Sequence, residues 1–290
     1  VQSSKFKVQS YIDRFRNRIM FPLSDHRGNV VGFSGRVLDS KGDIAKYVNT
    51  PETLVYHKGE LLYGLDLAKE ALKKNSFGIL VEGEFDVIQG AVHGISNMVA
   101  IKGTALTEAQ IALLKRFTDK VSICLDQDSA GVSAQWRSIG LLEDKGILIN
   151  VIELPVGKDP DDCLRKDPKL FHQAVKNEVS VYDFLLKSVL KQINKDTTEG
   201  KKNISEQLLP FLSRIQNEII NDHYVKKLAQ ELAVSEESIG REMVRVQKLN
   251  IAGLVGKVAT GWWVHRSDED GASGKVFLIA FIGCAKSVNT

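Results

Sequence analysis

Cysteine is scarce in this sequence: there are three in 290 residues, Cys124, Cys163 and Cys284. None of them belongs to a CxxC pair, and the six histidines are not clustered around them. A structural zinc site needs closely spaced thiolates and imidazoles, and a disulfide framework needs a dense set of paired cysteines. The composition therefore argues against both, and it indicates a reducing, cytoplasmic compartment.

Long apolar segments and a strong net charge are also absent. The N-terminal VQSSKFKVQS has no apolar core like that of a signal peptide, and the apolar run VFLIAFIG is too short to span a bilayer. We therefore expect no membrane partner. The formal net charge is only +3, from 39 basic and 36 acidic residues. Any affinity for nucleic acid must then come from a local basic patch.

The distribution of apolar residues predicts an α/β fold. Between residues 76 and 165, the apolar runs FGILVEGE, NMVAI, KVSICLDQD and ILINVIEL alternate with helical patterns. Nearly continuous apolar strands separated by helices are typical of a parallel sheet covered on both faces. In such sheets, ligands bind beyond the carboxyl ends of the strands. Glu82, Asp126 and Asp128 fall at these ends.

The flanking segments have different patterns. Residues 1–75 mix strands and turns, with IMFPL and VVGFSGRVL joined by a polar turn, and they predict a mixed α+β N-terminal subdomain. Residues 166–250 carry a series of helical patterns and predict a C-terminal helical subdomain. Residues 251–290 show no periodicity continuous with what precedes them, and this tail stays unassigned.

Acidic residues occur in three segments at or near the ends of predicted strands. VEGEFD contributes Glu82 and Asp86, and LDQDSAG contributes Asp126 and Asp128. GKDPDD contributes Asp159, Asp161 and Asp162. Clustered carboxylates without cysteine or histidine suit Mg²⁺ or Mn²⁺, and these ions bind phosphates in phosphoryl transfer. Taken singly, each acid has another explanation, as a helix N-cap or a solvated turn. The coincidence of three such segments in one sheet favours a metal site.

Seven motifs occur in an order that resembles a known family. They are RFRNRIMFPLSDHRGNVVGFSGRVL, KYVNTPET, YHKGELLYGL, VEGEFDVI, IKGTALTEAQ, LDQDSAG and GKDPDD. Glu-Gly after one strand and Asp-x-Asp after another resemble the Toprim domain, and the whole series resembles the RNA polymerase core of bacterial replicative primases. The resemblance runs from about residue 11 to 165 and continues more loosely to about 248. It implies a Toprim-type parallel sheet flanked by helices, and synthesis of short RNA primers on single-stranded DNA.

The resemblance also implies roles for the acids. Glu82 would lie closest to catalysis, with Asp126 and Asp128 as the other catalytic acids. Mg²⁺ or Mn²⁺ and the ribonucleoside triphosphate would be held by six acids in total: Glu82, Asp86, Asp126, Asp128, Asp159 and Asp161.

A second set of residues is implied to hold nucleotide and template. It consists of Arg14, Arg16, Arg18, Arg36, Lys46, Asn49 and Lys58. If residues 14–18 are extended, the three alternate arginines lie on one face and form a row of phosphate contacts. The alternative for these arginines is a charged strand edge in solvent. Without the motif, Lys46 and Lys58 would be explained equally well as ordinary surface lysines.

The sequence departs from the family pattern at four positions. Where this chain has Glu84 and Phe85, the family usually has an aromatic residue and Met. Where this chain has Gln127, the family usually has Gly, and where it has Lys102, many members have a small residue. Glu84 adds a negative charge near the expected metal site and Lys102 a positive one. These changes predict a nucleotide affinity that differs from the family's. The key acids are present, which argues against loss of activity.

Family members also carry an N-terminal zinc-binding domain and a C-terminal domain that binds the replicative helicase. We expect no counterpart of either in this sequence. Zinc is therefore expected only in that missing N-terminal domain, and the helicase is expected to bind through a domain not seen here. The remaining expected partners are single-stranded DNA and ribonucleoside triphosphates.

Two alternative functions stay open. A Toprim nuclease or topoisomerase fragment would use similar acids to cleave DNA, although none of the six tyrosines lies in a recognisable topoisomerase motif. A non-catalytic nucleic-acid-binding module would keep the fold without incorporating nucleotides. An inactive site, however, has no reason to keep mutually repelling carboxylates together.

Overall fold

A computed structural model of the chain describes residues 13–38, 45–102, 106–124 and 139–260, with side chains up to residue 248. The chain divides into two units between Val246 and Gln247. Both sheets belong to the first unit, and the described part of the second is helical. Within the described ranges, none of the helices is long and apolar enough to cross a membrane.

Strands and helices alternate along most of the first unit. The strands are β1 (Arg18–Ser24), β2 (Val30–Val37), β3 (Tyr47–Asn49), β4 (Gly78–Val81), β5 (Met98–Ala100), β6 (Lys120–Ile123), β7 (Leu148–Val151) and β8 (Val179–Ser180). The helices are α1 (Leu65–Asn75), α2 (Glu84–Val92), α3 (Glu108–Lys115), α4, which includes residues 139–144, α5 (Pro160–Lys166), α6 (Pro168–Lys176), α7 (Val181–Gln192), α8 (Thr198–Leu212), α9 (Glu218–Leu232) and α10 (Glu236–Thr260). A short 3₁₀ turn, Lys58–Glu60, precedes α1.

The N-terminal strands form an antiparallel sheet in the order β1-β2-β3. The turn between β1 and β2 is closed by Asp25, whose Oδ1 accepts hydrogen bonds from the backbone N–H groups of Arg27 and Asn29, both at 2.9 Å. Gly28 in this turn has a φ of +98°, which a residue with a Cβ rarely adopts. The predicted pair of strands joined by a tight polar turn is confirmed.

The central sheet has the order β5-β4-β6-β7-β8. The first four strands are parallel, and β8 pairs with β7 in the antiparallel direction. All residues of β4 and β5 are buried, as expected for strands covered on both faces. The predicted α/β class is confirmed, and the two-residue edge strand β8 is an addition to the prediction.

One hydrophobic core joins the sheet to the C-terminal helices. It extends from Leu80 in β4 through Ile111 in α3 to Leu185 in α7 and Leu228 in α9, all of them buried. Each such side chain contributes about 1.5–3 kcal/mol relative to an exposed one. The second core cluster contains Phe171 of α6 and lies on the side of α2 and α5. The predicted helical segment therefore packs on the sheet domain.

Candidate active site

A cleft of about 600 Å³ lies between the antiparallel sheet and the carboxyl ends of the parallel strands. It brings together eight of the residues singled out in the sequence: Arg36, Lys46, Asn49, Lys58, Glu82, Asp86, Asp159 and Asp161. The first four come from the N-terminal subdomain and the last four from the sheet domain. The cleft therefore has one basic wall and one acidic wall.

The acidic wall begins directly after β4, where Glu82 and Gly83 connect the strand to α2. Asp86 lies in the first turn of α2 and is only 5% exposed. Its Oδ2 accepts from the backbone N–H of Gly83 at 3.1 Å, and its Oδ1 accepts from that of Asp161 at 3.0 Å. One buried carboxylate therefore ties together two of the acidic segments predicted to meet.

The segment GKDPDD supplies the rest of the described acidic wall. Asp159 is the N-cap of α5, with its Oδ1 accepting from the N–H of Asp162 at 2.7 Å, and Pro160 follows at the first helical position. Asp159 thus caps a helix and also lines the cleft. The Oδ1 of Asp161 accepts from Nε of Arg165 at 2.8 Å.

Aromatic rings hold Arg36 in the basic wall. Its guanidinium lies over the ring of Phe85, 4.5 Å from the centroid, and 5.6 Å from that of Tyr47. It also donates a hydrogen bond to the Tyr47 hydroxyl at 3.2 Å. Burial raises the pKa of Tyr47, so its hydroxyl stays protonated at neutral pH. Lys46 and Lys58 are exposed.

The turn that carries Lys58 is fixed by Gln110, a residue that the sequence analysis missed. Gln110 lies in the first turn of α3 and is 2% exposed. Its Nε2 donates to the carbonyl of Leu61 at 2.7 Å, and its Oε1 accepts from the N–H of Thr107 at 3.0 Å. Thr107 also donates its hydroxyl proton to the carbonyl of Gly59. The Thr-x-x-Gln pattern of a helix capping box could have indicated this role of Gln110 from the sequence.

Two departures from the family pattern are partners of each other. Lys102 and Glu84 form an ion pair with side chains only 4% and 6% exposed, and both residues line the cleft. Burial lowers the pKa of Lys102, while the charge of Glu84 opposes this shift. The added negative and positive charges therefore offset each other locally. Nζ of Lys102 also donates to Oδ1 of Asn49 at 3.3 Å.

The arginine run is arranged differently from the prediction. Residues 14–17 form a turn, so the extended conformation that a row of alternating arginines requires is not present. The turn is set by Asp13, whose Oδ1 accepts from the N–H of Phe15 at 2.8 Å, and by Asn17 with a φ of +53°. Only Arg18 lies in β1; it donates to the carbonyls of Gly35 and Lys46 at 3.1 and 3.3 Å. Arg14 and Arg16 are exposed, and none of the three arginines is among the residues that line the cleft.

The donor chemistry of the cleft fits a hard divalent cation. Its described lining offers carboxylate and amide oxygens and contains neither cysteine nor histidine, which suits Mg²⁺ or Mn²⁺ better than zinc. In the part of the chain that the structure describes, no three acidic, histidine or cysteine side chains converge on a metal position. Asp126 and Asp128, the central pair of the prediction, lie outside the described residues.

The fold and the cleft define the class of the molecule. Acidic side chains lie near the C-terminal ends of the parallel strands. Residues 79–164 also match a family model described as Toprim-like. Residues 2–69 match the N-terminal domain of the DNA primase catalytic core, and residues 182–237 match the DnaB-helicase binding domain of primase. The last match contradicts the expectation that this sequence has no counterpart of a helicase-binding domain.

Known primases are similar over most of this chain. The DNA primase of Clostridium acetobutylicum is 40% identical over 241 residues, which cover 80% of this chain and 39% of that protein. A primase domain from Pseudomonas aeruginosa is 33% identical, with a TM-score of 0.69, over 83% of this chain and 75% of the other. A DnaG primase catalytic domain bound to single-stranded DNA is 36% identical, with a TM-score of 0.66, over 78% of this chain and 72% of the other.

These similarities place the chain in a family. It belongs to the DnaG-type bacterial DNA primases. The chain spans about two fifths of the length of the curated relatives it matches, since the matched region covers 39% of the Clostridium acetobutylicum protein.

Proposed function

We propose that this chain is the catalytic core of a DNA primase, which synthesises short RNA primers on single-stranded DNA from ribonucleoside triphosphates. The observation that carries this proposal is the cleft, in which a basic wall faces carboxylates at the end of a parallel sheet. Nucleotidyl transfer needs both kinds of charge. Cations bind the phosphates, and carboxylates bind the metal that phosphoryl transfer uses.

Each wall has a distinct part in the proposed reaction. Arg36, Lys46 and Lys58 bind phosphate oxygens of nucleotide and template by charge-assisted hydrogen bonds. Asn49 supplies a neutral polar contact beside them. Arg14 and Arg16, which are exposed outside the cleft, contribute template phosphate contacts from the surface.

The acidic residues are proposed to hold a divalent metal ion. Glu82 and Asp86 follow the end of β4, and Asp126 and Asp128 belong to the same set proposed from the sequence. Asp159 and Asp161 supply further carboxylate oxygens from α5. A bound Mg²⁺ or Mn²⁺ at this position would neutralise phosphate charge on the nucleotide and on the leaving pyrophosphate.

Primer synthesis tests the proposal directly. Labelled ribonucleoside triphosphates, single-stranded DNA and Mg²⁺ or Mn²⁺ are incubated with the chain and with Glu82→Gln, Asp126→Asn and Asp128→Asn. We expect short RNA from the unmodified chain and a loss on the order of 10²–10⁴-fold in the variants, as for other residues that act directly in catalysis. The matched control is Glu153→Gln, a surface carboxylate 3.0 Å from Lys187, which should keep full activity.

The same experiment separates the alternative functions. Supercoiled plasmid is included in a parallel reaction, and metal-dependent nicking without RNA synthesis would favour a Toprim nuclease. Metal-independent DNA binding without either product would favour a non-catalytic module. Full RNA synthesis by the Glu82→Gln variant would contradict the assignment of Glu82.

We also propose that the helical segment binds a replicative helicase. The match of residues 182–237 to a helicase-binding domain supports this second function. Within that range, Ile219 at the start of α9 is 82% exposed, which is a high exposure for an isoleucine.

We expect complex formation with a purified hexameric DnaB-type helicase in size-exclusion chromatography and a weaker complex for Ile219→Ser. Leu67→Ser, at an equally exposed position in α1, is the matched control. Absence of any complex would contradict the proposal.

A further inference from the structure

Lys102 lies two residues after the end of β5 and lines the cleft. Its φ is +49°, in the left-handed region that residues with a Cβ rarely adopt. The backbone N–H of Lys102 donates to the carbonyl of Glu82 at 3.1 Å, so this conformation is coupled to the strand end that carries the acid. The long side chain points into the protein and is only 4% exposed.

The buried ammonium group determines the orientation of a neighbouring amide. An ammonium group can only donate hydrogen bonds, so the Asn49 atom that it contacts at 3.3 Å must be the amide oxygen. The amide nitrogen of Asn49 then lies on the side away from Lys102. Within the part of the chain that the structure describes, this nitrogen has no hydrogen-bond partner, and Asn49 lines the cleft.

Glu84 is the group that keeps Lys102 in this position. A lone ammonium at this depth would be strongly destabilised, and the ion pair with Glu84 compensates for its desolvation. Glu84 is itself held by its place at the first position of α2. The pair thus connects the acidic strand end, through two buried charges, to the basic wall.

We propose that the buried Glu84–Lys102 pair is a positioning device, which fixes the Asn49 amide with its two N–H donors facing the cleft. There they bind an oxygen of the incoming nucleotide, on a phosphate or a ribose hydroxyl. The identity of this ligand rests on the proposed function. Without Lys102, the amide is free to rotate by half a turn, and its carbonyl oxygen then meets the electronegative ligand.

The test removes both buried charges together, because removal of one leaves the other unpaired and unfolds the site. The variant is Glu84→Leu/Lys102→Met in the 290-residue chain. Binding of ATP with Mg²⁺ is measured by calorimetry, beside thermal melting of each protein. We expect the double variant to bind about tenfold more weakly, the value of one lost hydrogen bond, with little change in melting.

A double-mutant cycle separates positioning from general structural damage. Asn49→Ala should lose about as much affinity, and adding it to the double variant should cause no further loss, because both changes remove the same contact. Losses that add in full would overturn the inference. The control is Lys195→Met/Glu231→Leu, which removes an ion pair of 2.6 Å in the helical segment and should leave ATP binding unchanged.

Two further outcomes keep the inference and the proposed function distinguishable. If the unmodified chain binds no nucleotide, both fail. If it binds and the double variant binds equally well, only the inference fails. Should the double variant melt far below the unmodified chain, Asn49→Asp decides instead. That change keeps an acceptor for Lys102 and replaces the donors by an oxygen, so undiminished ATP affinity with normal melting would overturn the inference.

Discussion

The two walls of the cleft hold their charges in different ways. Two carboxylates of the acidic wall are fixed by backbone N–H groups at helix N-termini: Asp86 accepts two such bonds, and Asp159 caps α5. In the basic wall Lys46 and Lys58 are exposed, whereas Arg36 is held by the rings of Phe85 and Tyr47.

The difference indicates that the acidic wall provides fixed geometry and the basic wall provides adaptable charge. A metal ion requires ligand oxygens at defined distances, and backbone hydrogen bonds supply that definition before any ligand arrives. Phosphates of a moving template and of successive nucleotides require charge more than fixed geometry, and long exposed side chains provide it. Small changes of shape should therefore damage the acidic wall far more than the basic wall.

Asp86→Glu is the largest expected effect of a change in shape alone. The extra methylene displaces a carboxylate that is 5% exposed from the N–H groups of Gly83 and Asp161. We expect primer synthesis to fall by roughly 10²-fold, since misplacement of a catalytic group by about 1 Å has such an effect. We also expect a loss of about 1–3 kcal/mol in the free energy of unfolding, measured by denaturant titration.

The matched change in the basic wall is Lys46→Arg. Lys46 is exposed at the cleft, and arginine keeps its charge while changing its shape. We expect primer synthesis to stay within about twofold and unfolding to be unchanged, as for most surface substitutions. Equal losses in the two variants would contradict the division between the walls.

Gln110→Leu would remove hydrogen bonds that hold the turn carrying Lys58, a cation of the basic wall. It leaves the carbonyl of Leu61 without its 2.7 Å hydrogen bond and loosens the turn that carries Lys58. We expect the free energy of unfolding to fall by about 1–3 kcal/mol. Steady-state kinetics should show KM for the nucleotide rising several-fold with kcat less affected, because the change acts on binding. Gln192→Leu, at the exposed end of α7, is the control for a similar substitution without these contacts.

Arg14→Ala/Arg16→Ala tests the exposed arginines outside the cleft. If both contact phosphates of the template, the slope of log Kd for single-stranded DNA against log salt should decrease in magnitude by roughly 1.4, about 0.7 for each contact. Melting should not change, because neither side chain is buried. An unaltered salt slope would show that these two arginines are only a solvated surface.

The sequence was sufficient to predict the parallel strands and the proximity of two acidic segments, VEGEFD and GKDPDD, which line one cleft. Both follow from local patterns, since apolar runs alternate with helices and the ends of parallel strands meet at one edge. The link between Asp86 and Asp161 spans 75 residues, yet it was implied because both lie at that edge.

Other features depended on backbone detail that no local pattern shows. Asn17, with a φ of +53°, turns the arginine segment out of the extended form that alternating residues would suggest. Lys102, with a φ of +49°, places its side chain against Glu84, 18 residues earlier. The sequence therefore indicated two separate added charges at the site, Glu84 and Lys102, although the fold pairs them with each other.

Glu143 in α4 is a partly buried carboxylate that has neither a backbone donor nor an ion-pair partner among the described residues. One oxygen accepts a hydrogen bond from the hydroxyl of Tyr182 in α7, and the other is buried without a partner within the described residues. Burial raises the pKa of Glu143 to about 7, although the hydrogen bond from Tyr182 and the charge of Arg214 oppose the shift.

Glu143→Gln is the smallest expected effect and concerns stability alone. The ordinary pKa of this carboxyl is 4.5, so the folded chain binds more protons than the unfolded chain between about pH 4.5 and 7. Stability of the unmodified protein should therefore fall as pH rises through this window. The neutral amide removes that fall, and above pH 7 the variant should melt about 2–4 °C higher. Thermal melting from pH 5 to 8 measures the difference, with Glu153→Gln as the control on a surface carboxylate. Parallel profiles for Glu143→Gln and the unmodified chain would show that Glu143 is ionised in the folded state throughout, like the carboxylates that face a cation.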